Sequence, residues 1–177
     1  GVFGGGINAN DPGNGGNNAN NQTDAAEPGL YDAGNGEAVY VYEDGAKAYF
    51  PKEWRYGQSL KFRGEGFKTK DGQSGSVIAV KLNGGSLAPK QEATFEGKKG
   101  NSAGVWLYIQ ADANGNFTAE LPMPTTENSS LTEAIKNGDK VSINLLTGAM
   151  KKGDTARGGE AAEITIVGAD NANHGGG

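Results

Sequence analysis

Two stretches, VWLYIQADANGNFTAELPMPT (Val105 to Thr125) and GDKVSINLLTGAMKKGDTAR (Gly138 to Arg157), decide the fold. In the first, the apolar runs Val105 to Gln110 and Asn116 to Leu121 close around Asp112-Ala113-Asn114-Gly115-Asn116. Asn-Gly reaches positive φ at little cost, so this is a β-hairpin signal. Pro122 and Pro124 stop the second run, because proline cannot donate to a strand ladder. In the second stretch, Lys140 to Leu146 is a further strand, and Glu163 to Val167 completes the set.

Upstream, Glu37 to Tyr42 alternates Val and Tyr, and Glu43-Asp44-Gly45 turns it back into Ala46 to Phe50, which Pro51 ends. Gln58 to Arg63 places Leu60 and Phe62 on one face before Gly64-Glu65-Gly66 breaks it. Ser76 to Leu82 is the most apolar of these runs, closed by Asn83-Gly84-Gly85. One helix is expected, over Ser129 to Lys136, with Ser130 and Glu133 as a capping box, Leu131 and Ile135 on one face and Gly138 at the end. About eight short strands and one short helix predict an all-β fold, an antiparallel β-sandwich, with a closed barrel as the alternative topology.

The 177 residues allow one domain of ordinary size with chain to spare. Glycine accounts for 31 residues, many of them near the ends. Residues 1 to 37 are Gly, Asn and Ala with a few acids and predict a flexible linker, with Val2, Phe3 and Ile7 as its apolar exceptions. The domain proper is expected over residues 38 to 168, and residues 169 to 177 form a second Gly-rich tail. A formal net charge of −5 without a basic cluster argues against nucleic-acid binding. No apolar run approaches the ~20 residues that span a bilayer, so membrane insertion is not expected. No basic start followed by an apolar core stands at the N-terminus, which suits a mature form or a piece of something longer.

Gly57-Gln58-Ser59-Leu60 is followed by Gly64-Glu65-Gly66-Phe67, then by Val77 to Gly84, and then by Trp106 with Ala111 to Phe117. Leu145-Leu146-Thr147-Gly148-Ala149 with Gly153-Asp154-Thr155-Ala156-Arg157 comes next, and Thr165-Ile166-Val167-Gly168 closes the order. In this order, from Gly57 to Gly168, the chain resembles the immunoglobulin-like modules of actinobacterial, Gram-positive cell-surface and secreted proteins. The resemblance implies an immunoglobulin-like β-sandwich acting outside the cell or on the cell wall as a non-enzymatic spacer or display domain beside neighbouring domains. It implies no catalytic residues.

Candidate sites are few. The chain has no cysteine, which removes disulfides, thiolate catalysis and Cys-type zinc sites. Its single histidine, His174, lies in the C-terminal tail, so neither a catalytic triad nor a histidine metal site is expected in the fold. The Asp112 turn lacks the spacing and the closing glutamate of a calcium loop, and no cofactor is expected. Asp71, Glu92, Glu96 and Glu120 are scattered loop acids, read as solvation more readily than as a glycosidase pair. Lys61, Lys81, Lys140 and Asn144 stand in strands and would serve an intramolecular amide crosslink only in an apolar setting that depresses the lysine pKa.

The aromatics carry the alternative reading, a carbohydrate- or host-protein-binding, adhesin-like module. Trp54, expected in a connection after Pro51, is the best candidate for an exposed ring, with Tyr56, Tyr40 and Tyr42 as companions. Trp106 poses a conflict, because alternation turns Val105, Leu107 and Ile109 inward and leaves Trp106 outside. The reading that reconciles this covers Trp106 with the long Ser86 to Gly104 loop.

Overall fold

A computed structural model describes residues 27–169. The N-terminal stretch to residue 26 and the tail from residue 170, with Val2, Phe3, Ile7 and His174, lie outside the described residues. Among the described residues, ten strands form two five-stranded sheets. In chain order they are β1 (Gly29–Gly34), β2 (Glu37–Val41), β3 (Lys47–Pro51), β4 (Glu53–Arg55) and β5 (Leu60–Glu65), then β6 (Val77–Leu82), β7 (Val105–Gln110), β8 (Phe117–Leu121), β9 (Lys140–Leu146) and β10 (Glu160–Val167). The first sheet runs β4-β10-β9-β6-β7 and the second β1-β2-β3-β5-β8. The expected all-β, two-sheet architecture is the one observed.

Contacts divide the chain into a large unit, Leu30–Tyr40 with Ala46 onward, and a small one whose described residues are 27–29 and Val41–Gly45. Within the small unit, the Gly45 amide donates to the Tyr42 carbonyl at 2.9 Å, with Gly45 at φ 92°. This is the turn expected from Asp44-Gly45.

Alternation builds the core of the large unit. β5 alternates buried and exposed residues without a break, placing Leu60, Phe62 and Gly64 inward. β9 turns Val141, Ile143 and Leu145 inward against Ile164 and Ile166 of β10. In the second sheet the rings of Phe50 and Phe62 stack at 5.0 Å, and Phe117 meets Phe62 and Phe67 edge-on at 6.1 and 5.2 Å. Gly64 lies opposite Phe117, and a Cβ on it would fall 2.3 Å from that ring. The sheet therefore accepts the aromatic cluster only with glycine there.

Four features differ from the sequence expectation. First, β1 lies inside the stretch read as linker. Asn35 and Gly36 sit at φ 55° and 78°, the left-handed geometry of a two-residue hairpin, and they fold GLYDAG back onto β2. At the other end Ala169, read as tail, is fully buried. Second, β4 is a strand and not a connection, and it pairs parallel with β10 through Glu53↔Thr165, Trp54↔Ile166 and Arg55↔Val167. Pro51 ends β3 in the second sheet, and two residues later the chain has entered the first, with the Thr165 amide donating to the Lys52 carbonyl. The first sheet is therefore mixed.

Third, the helix expected over Ser129 to Lys136 does not form; the segment is irregular. The Ser130 amide donates to the Ala88 carbonyl at 2.8 Å, and its hydroxyl accepts from the Ala88 amide and donates to the Ser86 carbonyl, both at 3.0 Å. A two-turn helix has too few internal bonds to compete with such partners. Glu133, the other half of the expected capping box, pairs with Lys136 at 3.5 Å on the surface. A 3-10 turn occurs elsewhere, at Asn83–Gly85.

The fourth concerns β7. Val105 and Ile109 are buried as expected, but Leu107 is only half-buried. The outer face is covered by the 86–104 loop, as the reconciling reading requires. Trp106 Nε1 donates to the Leu87 carbonyl at 2.7 Å, and the Tyr108 hydroxyl accepts from the Gly100 amide at 3.0 Å. Phe95 lies 6.2 Å from the Tyr108 ring. Trp106→Ala is expected to lower stability by about 3 kcal/mol or somewhat less, as a large-to-small change at a half-covered position. Urea unfolding of both proteins measures it, and an unchanged midpoint would refute the packing account.

Candidate functional site

The ring expected to anchor a ligand platform, Trp54, is not on the surface. Trp54 is 1% exposed, and its Nε1 donates to the Gln58 carbonyl at 2.8 Å. The expectation of an exposed ring there is corrected: as the middle residue of β4 beside Ile166, Trp54 faces the core. Tyr56, half-buried, follows β4 at the edge of the first sheet, where its amide donates to the Val167 carbonyl. Tyr40, also half-buried, sits on β2 of the second sheet. Tyr42, a residue of the small unit, is buried.

Charged and aromatic side chains gather on the outer face of the second sheet. Register aligns Lys47 with Glu65, Tyr49 with Arg63, Arg63 with Thr118, and Lys61 with Glu120. The Arg63 guanidinium lies over the Tyr49 ring, its Cζ 3.9 Å from the centroid, and Glu37 approaches it at 3.6 Å. A shallow groove runs between Glu37, Lys61, Arg63, Thr118 and Glu120. Partial burial, with Glu65 nearby, pushes the Tyr49 hydroxyl above the ordinary tyrosine pKa, so it stays a neutral hydrogen-bonding group. The face can hydrogen-bond a polar ligand; it aligns no nucleophile with a base.

Asp112, Glu92 and Asp71 are occupied by main-chain amides. Asp112 Oδ1 accepts from the Asn114 and Asn116 amides, both at 2.9 Å, so the hairpin turn accounts for it. Glu92 accepts from the amides of Gly104 and Val105 at 2.7 and 3.1 Å, fastening the 86–104 loop to the start of β7. Asp71 accepts from the Gln73 amide and the Thr69 hydroxyl at 3.0 and 2.7 Å. Glu96 occupies a left-handed turn position at φ 51°, and Glu120 lies on the outer face of β8. Among the described residues no three His, Cys, Asp or Glu side chains are grouped to hold a metal ion. Lys81 and Asn144 lie opposite each other on β6 and β9, both half-buried, but Asn144 Oδ1 accepts from the Gly84 amide at 3.0 Å. That wet, occupied setting is unlike the apolar one a crosslink requires.

What the sequence reading missed is the buried polar cluster at one end of the sheets. Arg157, 8% exposed, donates from Nη1 to Ser76 Oγ and Thr147 Oγ1 at 3.0 and 3.1 Å, and from Nη2 to the Lys68 carbonyl at 3.1 Å. Its Cζ lies 4.9 Å from the Phe67 centroid. Asp154, 3% exposed, accepts from the Val77 amide at 3.1 Å and its own neighbour Thr155 at 2.8 Å. Thr155 Oγ1 adds a bond to the Lys68 carbonyl, and Lys151 Nζ one to the Gly75 carbonyl, each at 2.8 Å. The signal was present in Gly153-Asp154-Thr155-Ala156-Arg157, where opposite charges three residues apart follow an apolar strand.

Comparison with protein-family models, with curated proteins and with solved structures finds no match to the chain. Fold and site together define a two-sheet all-β domain whose buried polar groups hold main chain in place. Arg157→Ala is expected to destabilise by about 3 kcal/mol, because it strands buried acceptors while removing their donor. Arg157→Lys should recover only part of that, since an ammonium cannot span three acceptors in one plane. A ΔΔG for Arg157→Ala within ~0.5 kcal/mol of zero, the range of ordinary surface changes, would remove the cluster's structural role.

The Asp71 loop makes a pH prediction. Hydrogen bonds from Gln73 and Thr69 hold its carboxyl below the ordinary value of 3.8, so the folded state binds this proton less readily than the unfolded one. Its contribution is present above that value and lost as pH falls through the lower, folded pKa. Asp71→Asn should flatten the acid limb of a stability-versus-pH curve, and an unchanged limb would discard the assignment.

Proposed function

We propose that this domain is a non-enzymatic, immunoglobulin-like spacer or display module of a bacterial cell-surface or secreted protein, placed beside neighbouring domains of a longer chain. The observation that carries this reading is where the residues of the resemblance fall. Thr147, Asp154 and Arg157 lie in the buried cluster that ties three connections together, and the exposed Gly153 beside them accepts from the Lys70 amide. Phe67, Gly115 and Phe117 form the adjoining contact, with the Phe67 amide donating to the Gly115 carbonyl at 2.9 Å. The motif residues are spent on rigidity, which a spacer needs, and not on a reacting centre.

A second reading, a binding module for a glycan or a host protein, has one observation in its favour: the polar groove beside the Arg63–Tyr49 pair. A glycan array probed with the purified domain distinguishes the two. The spacer reading expects no saturable binding and surface labelling of intact cells by antibody against the domain. Saturable binding abolished by Arg63→Ala, with an unaltered melting temperature, would replace it with the binding reading. Absence of label from both the cell surface and the medium would overturn the proposed location.

A further inference from the structure

Four Asn-Gly pairs lie among the described residues: Asn35-Gly36, Asn83-Gly84, Asn114-Gly115 and Asn137-Gly138. This dipeptide undergoes spontaneous chemistry, because glycine leaves its own amide nitrogen unhindered beside the asparagine side chain. The nitrogen must be free to turn toward that side chain, so the fold decides which pair reacts.

Three of the four glycine amides are engaged. Gly84 donates to Asn144 Oδ1 at 3.0 Å, Gly115 to the Asp112 carbonyl at 2.8 Å, and Gly138 to the Ile166 carbonyl at 2.8 Å. Asn83 is held from its other end as well, its Oδ1 accepting from the Ser142 amide at 2.9 Å. The 112–116 turn is wedged, since a Cβ on Gly115 would lie 2.4 Å from the Phe67 nitrogen, and buried Phe117 follows directly. All four asparagines are exposed, but Asn35-Gly36 differs at the attacking nitrogen: the Gly36 amide has no hydrogen-bond partner among the described residues, and only its carbonyl is engaged, accepting from the Lys52 amide at 2.9 Å. The strand before it, β1, is exposed from Leu30 to Gly34, with Leu30 at 54% and Tyr31 at 40%. Opening this hairpin end disturbs almost no buried surface.

We propose that Asn35-Gly36 is a self-modification site, at which the domain deamidates with water as the only co-reactant. The Gly36 nitrogen attacks Asn35 Cγ and forms a C–N bond. The side-chain amide leaves as ammonia, taking the proton from Gly36, and a cyclic imide remains. Water opens the imide at either carbonyl, giving aspartate or isoaspartate. Both add a negative charge near the Asp32–Lys52 ion pair. Isoaspartate also lengthens the main chain by one carbon, which the two-residue turn with φ 55° and 78° cannot accommodate. The modified turn releases β1 from β2.

The test is incubation of the whole chain at mildly alkaline pH, native and in denaturant, followed by peptide mapping with isoaspartate quantified at residues 35, 83, 114 and 137. In the native protein residue 35 should convert about tenfold faster than each of the others, the ratio expected where only one site opens locally. In denaturant the four rates should converge. Hydrogen exchange of the aged protein should show faster exchange in β1 and unchanged exchange in β9. Conversion at residue 83, 114 or 137 as fast as at residue 35 in the native chain would overturn the proposal. So would native protection of residue 35 equal to that of the other three.

Discussion

One buried guanidinium sets the terms for the rest of the molecule. Moving a cation out of water costs several kcal/mol unless its donors are satisfied and the geometry is fixed. Arg157 meets that demand by drawing Lys68 and Ser76, 89 and 81 residues upstream, together with nearby Thr147 onto one planar group. The connections before β6, after β8's hairpin partner β7 and after β9 then cannot move separately. The Ser76 carbonyl accepts from Ala111, the Phe67 carbonyl from Ser76, and the Gly153 carbonyl from Lys70. Phe67, under the guanidinium, passes the constraint into the aromatic cluster through Phe117. The core of the second sheet is thereby registered against loops of the first by a charge.

The sheet margins are treated unequally. Unpaired strand edges are templates for association, and proteins blunt them with charge, proline, shortness or a cover. In the first sheet β4 is only three residues long, and β7 is capped where Ala93 donates to the Val105 carbonyl and Glu92 accepts from its amide. In the second sheet β8 carries Glu120 and runs into Pro122, while β1 depends on Asp32, paired with Lys52 at 2.9 Å, and on its flanking glycines. The outer faces follow the same division. A loop covers β7 of the first, whereas the second is left to water behind cross-strand pairs of opposite charge.

The eight strands visible in the sequence are all present, because each has either clean alternation or a continuous apolar run bounded by turn residues. The two that escaped are instructive. β4 has three residues, too few for any period to show, and its partner is parallel and over a hundred residues away. β1 was concealed by composition: Gly29, Gly34 and Asn35 look like linker until Asn35-Gly36 is read as a left-handed turn. The false helix arose from a correct local signal. Ser130 is a capping residue by chemistry, but it caps the 86–88 segment, a partner no local window contains. Trp54 was misplaced for the same reason as β4. For the site, residue type was legible and destination was not, since nothing near Arg157 in sequence announces that Ser76 and Lys68 will meet it.

The mechanical consequence follows from which strands meet the chain ends. The described chain enters the large unit along β1 and leaves it along β10. β1 is an edge strand exposed over nearly its whole length, so tension applied there would peel it from β2 one bond at a time. β10 is held between β4 and β9, with Ala161, Ala162, Ile164 and Ile166 all buried, and its last turn is fastened by the Gly138 amide on the Ile166 carbonyl. Tension at that end must shear two ladders together and expose the core at once. A domain so arranged yields first at β1, keeps the rest of the large unit intact behind the Arg157 cluster, and lengthens without unfolding. For the spacer role proposed above, that would place compliance at the entry strand and rigidity beyond it, the same boundary that separates the open Asn35-Gly36 turn from the three locked ones.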